Sequence, residues 1–402
     1  MVSIAEAQQI ILDTVARLES EDVSLLHALG RIAAEDIHAA WDIPLADYSA
    51  MDGYAFAAAG GQELLIDGFL PAGATRTAPV LPGTAVKIMT GAVIPPGCDS
   101  VVPIEDVEVH DGRLRIRGEI STGMNVRPRG EDVTNGDLVI PSGTLLRPSE
   151  IGMITSLGRT TVNVIRKPRA AVLSTGDELV EAGMIPQPGQ VINSNSYSIT
   201  AQLLESGAEP LMLGIARDER DFTLNKLEEG LTADLLITTG GVSVGDRDLV
   251  KELLVELGGE IRFWKVSMKP GKPVAFAVVR GKPVFALPGN PVAAMVSFEQ
   301  FVRPAILKMA GHSRIFRPVV KAVLRESVKN PGKRPHLVRG TVELTGGRYR
   351  VVSTGNQSSG RISSLTRSNG LMLLPPDSSL SAGDDVDVQL LDRSFEMGTL
   401  AP

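Results

Sequence analysis

Between residues 168 and 313, short apolar runs alternate with amphipathic stretches, and this rhythm limits the fold more than any other feature. The runs are AAVLST (170–175), EPLMLGI (209–215), DLLITT (234–239), EIRFWKV (260–266) and PVFALPG (283–289). Helical spacing fills the intervals near 195–206, 219–230, 247–257 and 291–310. Strands apolar along nearly their whole length, joined by helices, specify a parallel sheet covered on both faces, a three-layer α/β/α domain. GKPVAFAVV and GKPVFAL repeat their opening ten residues apart, which reads as a hairpin turning at Arg280–Gly281.

The flanks have a different texture. Ile4, Ala7, Ile10, Ile11, Val15 and Leu18 have helical spacing over 3–20, and Ser3 with Glu6 forms a capping box. A shorter helix is expected near 24–34, broken at Gly30, and another over 148–158, from Pro148 to Gly158. Between them, AVKIMTG, SVVPIEDVEV, RLRIRG and DLVIPSG are short strands separated by Gly and Pro. After 314, RPVVKAVL, HLVRGTVEL, RYRVVST, GLMLLP and DDVDVQLL form a second all-β stretch. The expected organisation is therefore a discontinuous helical linker domain (1–48 and 141–167), a β-rich insertion (49–140), the α/β domain (168–313) and a C-terminal β domain (314–402). The 3–20 and 148–158 helices flank the insertion and are expected to pack together.

Composition removes several function classes. With 47 acidic against 40 basic side chains the net charge is −7, which argues against bulk nucleic-acid binding. Cys98 is the single cysteine, so an intramolecular disulfide and cysteine-based zinc sites are out; five scattered histidines form no HExxH. No apolar run is long enough for a membrane span, and no secretory pattern opens the chain, so a cytoplasmic location is expected, with no membrane partner.

Ligands of open parallel sheets bind beyond the carboxyl ends of the strands. The loops there hold Ser174-Thr175-Gly176-Asp177-Glu178; Asp218-Glu219; Gly240-Gly241-Val242-Ser243-Val244-Gly245-Asp246-Arg247-Asp248; Lys265 to Lys272; and Pro288-Gly289-Asn290-Pro291. Glycines ahead of a helix let backbone N–H groups approach an anion, though 240–245 alone is equally a tight turn. Asn290-Pro291 is a helix start. Residues 261–282 carry six basic side chains, Lys265 and Lys269 among them, and no acid. That suits either an anion site or a solvated rim. Carboxylates on neighbouring loops, with a phosphate, suit Mg2+. No Ser-His-Asp or Cys-His set suggests a covalent nucleophile.

Taken together, SAMDGYA (49–55), IMTGA (88–92), RGED (129–132), STGDEL (174–179), TTGGVSVGDRD (238–248), KVSMKPGKP (265–273) and LPGNPV (287–292) resemble the MoeA family of molybdenum insertases, in the family's order and over essentially the whole chain. The resemblance implies an elongated homodimer of four domains, one MogA/MoaB-like and the last a β-barrel-like domain. It implies adenylylated molybdopterin and molybdate as substrates, Mg2+ as cofactor and AMP as a product. The cleft would lie between the α/β domain of one subunit and the insertion of the other. Carried over by motif, Asp52, Thr90 and Asp132 serve in the insertion. Glu178, Asp218 and Asp248 are the acidic, metal-holding positions. Ser174, Thr175, Gly176, Gly240, Gly241, Ser243 and Gly245 cradle pterin or phosphate. Lys265 and Lys269 neutralise phosphate or molybdate, with Pro270 between them and Lys272. Pro288, Gly289, Asn290 and Pro291 shape the loop beneath, and Arg339, Ser363 and Ser364 contribute to an oxyanion site.

Two departures stand out. Relatives often have Asp-Asp-Pro where this chain has Asp218-Glu219-Arg220, and Ser where it has Ala293. The rival readings are a molybdopterin adenylyltransferase, which needs only the α/β domain, and a non-enzymatic assembly scaffold like the gephyrin E domain. Expected partners are a second copy, an adenylyltransferase delivering the pterin, and apo-molybdoenzymes or their chaperones. Molybdate and tungstate share charge and nearly share size, so sequence does not separate them.

Overall fold

The computed structural model describes residues 1–217, 219–241 and 249–397. The chain divides into two compact units. One comprises Met1–Asp22, Gly30–Ile32 and Asn163–Pro402; the other comprises Val23–Leu29 and Ala33–Val162.

In the first unit the alternating segment forms a six-stranded sheet. Its spatial order is Glu209–Ala216, Arg169–Thr175, Leu235–Thr239, Lys282–Leu287, Ala275–Val279, Glu260–Phe263. The first four strands are parallel, with Val172 opposite Ile237 and Ile237 opposite Phe285. The last two are antiparallel to their neighbours, so the sheet is mixed rather than purely parallel. The reason is the hairpin read from the repeat. Arg280 (φ 50°) and Gly281 (φ 76°) both turn left-handed, which suits a two-residue hairpin loop and reverses the chain. The strand expected over 260–266 also stops early, at Phe263, because the chain then folds into a tight loop in which Val266 N donates to Lys272 O at 3.0 Å.

Alternation along the strands sends side chains to two separate cores. Ala170, Val172, Ile237, Phe276 and Phe285 face the helices Ser194–Glu205 and Pro291–Met309. Ala171, Leu173, Leu236, Ala277 and Val284 face Arg220–Gly230 and Leu249–Glu256. This is the expected three-layer arrangement. The long helix contains a π turn at Phe298–Val302, just before Pro304, whose ring cannot supply an N–H to the regular ladder.

The N-terminal helix is shorter than its spacing suggests. It runs over Ile4–Thr14 with the expected Ser3/Glu6 capping box and ends where Val15 turns extended. Leu18 lies beyond it and its N–H donates to Met309 O at 2.9 Å. Ala7, Ile11 and Val15 join the core formed by Phe298, Val302 and Ile306. This helix belongs to the α/β core, and Pro148–Ser156 lies in the other unit. Residues 319–390 close a five-stranded barrel in the order Val319–Leu324, Arg348–Ser353, His336–Thr345, Gly370–Leu374, Asp385–Leu390, filled by Val338, Val342, Val351, Met372 and Val388.

The second unit is built on a six-stranded sheet ordered Ser100–Pro103, Gly53–Phe56, Thr84–Ile88, Glu63–Leu70, Arg113–Ile116, Val107–His110. Tyr54 and Phe56 point into one core and Ala55 into another, so both faces are covered. The helix expected near 24–34 is only one 3₁₀ turn, Leu25–Ala28, followed by the left-handed Gly30.

Candidate active site

A cleft of about 1320 Å³ opens at the carboxyl ends of the parallel strands. It is lined by Thr175, Gly176 and Glu178 from the first strand end, Gly240 and Gly241 from the third, and Pro288, Gly289, Asn290 and Pro291 from the last. Nine of the residues selected from sequence thus come together here. Ser174 does not: it is fully buried, and its hydroxyl is within 2.9 Å of Asn193 Oδ1 and Ser196 Oγ and 2.8 Å of Thr239 Oγ1. It braces the wall behind the cleft. Asp218, Ser243, Gly245 and Asp248 lie outside the described residues.

The glycines in this wall allow close approach. A Cβ on Gly240 (φ 88°) would stand 2.4 Å from the Thr175 carbonyl oxygen, and one on Gly241 would stand 2.7 Å from Val250. Only glycine permits both the backbone angle and the spacing. Gly240 N also donates to Leu287 O at 3.1 Å, which ties two strand ends together.

Sequence reasoning missed other lining residues: Asn193, Asn195, Glu252, Gly360 and Ile362. Asn193 caps the Ser194–Glu205 helix through its side chain, which accepts from Ser196 N. Asn-Ser-Asn directly after a strand-end loop is the signal that could have found the pair. Gly360 and Ile362 come from the barrel region, where spacing gave no hint of approach to the sheet edge. Val292 N at the start of the last helix donates to Ser359 O at 3.2 Å.

The lysine loop leads to a second, cationic group. Lys265 is half-buried and Lys269 exposed, and Pro270 follows Lys269 through a cis peptide bond. Lys269 is stitched to the barrel: its N–H donates to Pro335 O at 2.9 Å and its carbonyl accepts from Leu337 N at 2.8 Å. Arg334 Nη1 donates to Met268 O at 2.8 Å. Two residues after Leu337 in the same barrel strand sits Arg339, fully buried. Its Nε donates to Ser364 Oγ at 3.1 Å and its Nη2 to Ser358 O at 3.0 Å, while Nη1 has no partner. Both partners are neutral, and burial pulls its pKa down to about 10. His336, opposite Lys269, is pushed down to about 4, first by burial and then by Lys269, Arg339 and Arg334. Of the predicted pair, Ser364 is buried on Arg339, while Ser363 is exposed and its carbonyl accepts from Arg367 Nε at 3.1 Å.

In the other unit, Asp52 Oδ1 accepts from Thr90 N at 2.7 Å and Thr90 Oγ1 at 2.9 Å. These bonds, the backbone one foremost, hold its carboxyl below the ordinary range. Asp132 is exposed, and its N–H donates to Ile43 O at 3.0 Å. Among the described residues no three His, Cys, Asp or Glu side chains cluster as a metal site. Of the three carboxylates expected to hold magnesium, Glu178 alone is described; it is exposed on the cleft, folded over Gly176.

Comparison with known proteins gives this geometry a family. Residues 2–158 match the MoeA N-terminal region (domain I and II), 171–308 a probable molybdopterin binding domain, and 321–391 the MoeA C-terminal region (domain IV). The chain is 36% identical to the molybdopterin molybdenumtransferase of a Nostoc species, covering 96% of this chain and 93% of that protein. It is 34% identical to the Staphylococcus aureus molybdopterin molybdenumtransferase, covering 97% and 96%. The crystal structure of a molybdopterin biosynthesis MoeA protein from Pyrococcus horikoshii superposes with a TM-score of 0.84 at 30% identity, over 98% of this chain and all of that one. Near-full-length matches in both sequence and structure establish that this chain belongs to the MoeA family, the molybdopterin molybdenumtransferases.

Proposed function

We propose that the chain is the molybdenum insertase of molybdenum cofactor biosynthesis. It takes adenylylated molybdopterin and molybdate, with Mg2+, and releases molybdenum cofactor and AMP. The observation that carries the oxyanion half is Arg339: a fully buried cation with two neutral partners and one free N–H donor edge. An uncompensated buried charge is costly, and a dianion arriving beside it supplies the missing counter-charge. Lys269, stitched to the same strand, adds a second positive charge.

The cleft supports the pterin–adenylate half. Its glycine walls admit backbone N–H groups to phosphate, and Asn193, Asn195, Thr175 and Thr239 add neutral polar groups to the lining. In the reaction water attacks the adenylyl phosphorus, the phosphoanhydride P–O bond breaks, and AMP leaves the molybdopterin phosphate. The dithiol takes up molybdate, forming two Mo–S bonds while one oxo oxygen leaves as water with the two thiol protons, so molybdenum keeps its oxidation state. Lys265 and Lys269 neutralise the charge that develops, consistent with phosphoryl chemistry that depends on positioning and charge rather than a covalent nucleophile. Glu178, with the Asp218 and Asp248 positions, would hold magnesium, which would supply positive charge to offset that of the phosphates. Asp52, Thr90 and Asp132 contribute from the insertion of a homodimer. A cytoplasmic location and transfer of product to apo-molybdoenzymes complete the proposal; no helix is long and apolar enough to cross a membrane among the described residues.

The test is AMP release from adenylylated molybdopterin by purified protein, with Mg2+, with and without molybdate. Molybdate-dependent release with transferable cofactor is the expected result. Turnover of ATP with bare molybdopterin would instead identify an adenylyltransferase. Tight binding without release would favour a scaffold. Lys269→Ala is expected to lower release about a hundredfold, as loss of one charge-stabilising donor does.

A further inference from the structure

Asn195 is the second residue of the Ser194–Glu205 helix and lines the cleft. Its amide is fixed in one orientation, because Nδ2 donates to the carbonyl of Gly289 at 2.8 Å, across from one strand-end loop to another. Swapping the two amide atoms would set oxygen against oxygen, so the nitrogen stays towards Gly289 and commits one of its two N–H groups there. The other half, Oδ1, has no hydrogen-bond partner and is shielded from solvent. A second orphan lies in the same cleft. Thr175 is only 5% exposed, and its Oγ1 has no partner either. Buried acceptors left unpaired cost free energy, and a wall built to retain one is built for a donor that arrives with the ligand.

We propose that Asn195 is a specificity residue that accepts a hydrogen bond from an exocyclic amino group on a heterocycle bound in this cleft. The inference rests on the proposed use of an adenylylated pterin. That substrate carries such an amino group at both ends, on the adenine and on the pterin. Each could supply the donor. A ligand with a carbonyl oxygen at that position would set acceptor against acceptor, and such sites reject the mismatched analogue strongly.

The experiment is calorimetric titration of the full-length protein with two matched pairs. AMP and IMP differ in carrying an amino or an oxo group on the purine. Pterin-6-carboxylate and lumazine-6-carboxylate differ in the same way on the pterin. Wild type is expected to bind the amino member of one pair about tenfold more tightly, as loss of one hydrogen bond implies. The pair that discriminates identifies which end Asn195 reads. Asn195→Ala is expected to bring that ratio to near one. Asn195→Asp keeps an acceptor but loses the tie to Gly289, and is expected to keep the preference; this separates ligand reading from loop bracing. Equal binding within both pairs by wild type would overturn the proposal. So would an unchanged ratio in Asn195→Ala, or an equal loss in Asn195→Asp. If none of the four ligands binds, the adenylylated-pterin reading falls too, whereas binding without preference removes only the role of Asn195.

Discussion

Two arginines of the same unit, Arg317 half-buried and Arg339 fully buried, have opposite surroundings. Arg317, leading into the barrel, pairs with Glu299 (Nε to Oε2, 3.0 Å) and with Glu205 (Nη2 to Oε1, 2.7 Å). Burial pulls its pKa down, but those two carboxylates outweigh burial and raise it. Glu299 is itself held by Gln202 Nε2 at 3.0 Å. Arg339 has only a serine hydroxyl and a carbonyl, and its pKa falls. The first arrangement balances its charge internally and joins the long helix to the barrel. The second leaves its charge unbalanced. On the proposed function, the contrast separates a charge used for architecture from one kept for a ligand.

Removing either charge should reveal the difference. Glu299→Ala leaves Arg317 without its main buried partner and is expected to cost about 3–5 kcal/mol of stability. Chemical denaturation would measure it, and the folded fraction should keep its turnover. A loss below about 1 kcal/mol would break the comparison. Arg339→Met is expected to do the reverse. It should lower molybdate-dependent AMP release about a hundredfold, near 3 kcal/mol in the barrier, with stability within about 1 kcal/mol of wild type or above it.

His336 sharpens the same contrast through pH, since it sits among Lys269, Arg334 and Arg339 with Nε2 unpartnered. Its folded pKa, about 4, lies below the ordinary 6.5. The unfolded chain therefore binds its proton first as pH falls. Stability should be fully present above about pH 6.5 and decline as pH falls towards 4, by at most about 3 kcal/mol from this group. His336→Phe should flatten that decline in urea titrations across the window. Gly240→Ala is the smallest test. The left-handed angle and the 2.4 Å approach to Thr175 should cost about 2 kcal/mol. The change is local to the cleft wall, so Arg339 and its surroundings should be unaffected. A normal response to molybdate concentration would support that.

Much of this was legible in the sequence, for identifiable reasons. The alternation Ala170 to Leu173 and Leu235 to Ile237 is unbroken apolar, and only a doubly covered sheet satisfies it. The Arg280–Gly281 hairpin was readable because left-handed turns favour few residues. The N-terminal helix was overextended because Leu18 continues the apolar spacing while a tertiary bond to Met309 takes it elsewhere. Strand periodicity in 319–390 gave no sign of closure, which depends on pairing between distant strands such as Val319–Leu324 and Asp385–Leu390. In the site, the glycines and prolines were visible as loop chemistry. Arg339 and Ser364 came only from family likeness, since a lone arginine in a strand carries no local signal. Asn195 was passed over because its role depends on a carbonyl 94 residues away.

The double stitch at Lys269 carries a kinetic consequence. Its amide and its carbonyl are both spent on Pro335 and Leu337, at the mouth of the barrel. The lysine backbone cannot drift without prising that strand open. The amides of Lys269 and Leu337 should therefore exchange with deuterium on one shared clock. Any lesion that frays the barrel mouth, however distant from the proposed anion site, would be felt first as a faster off-rate of the anion.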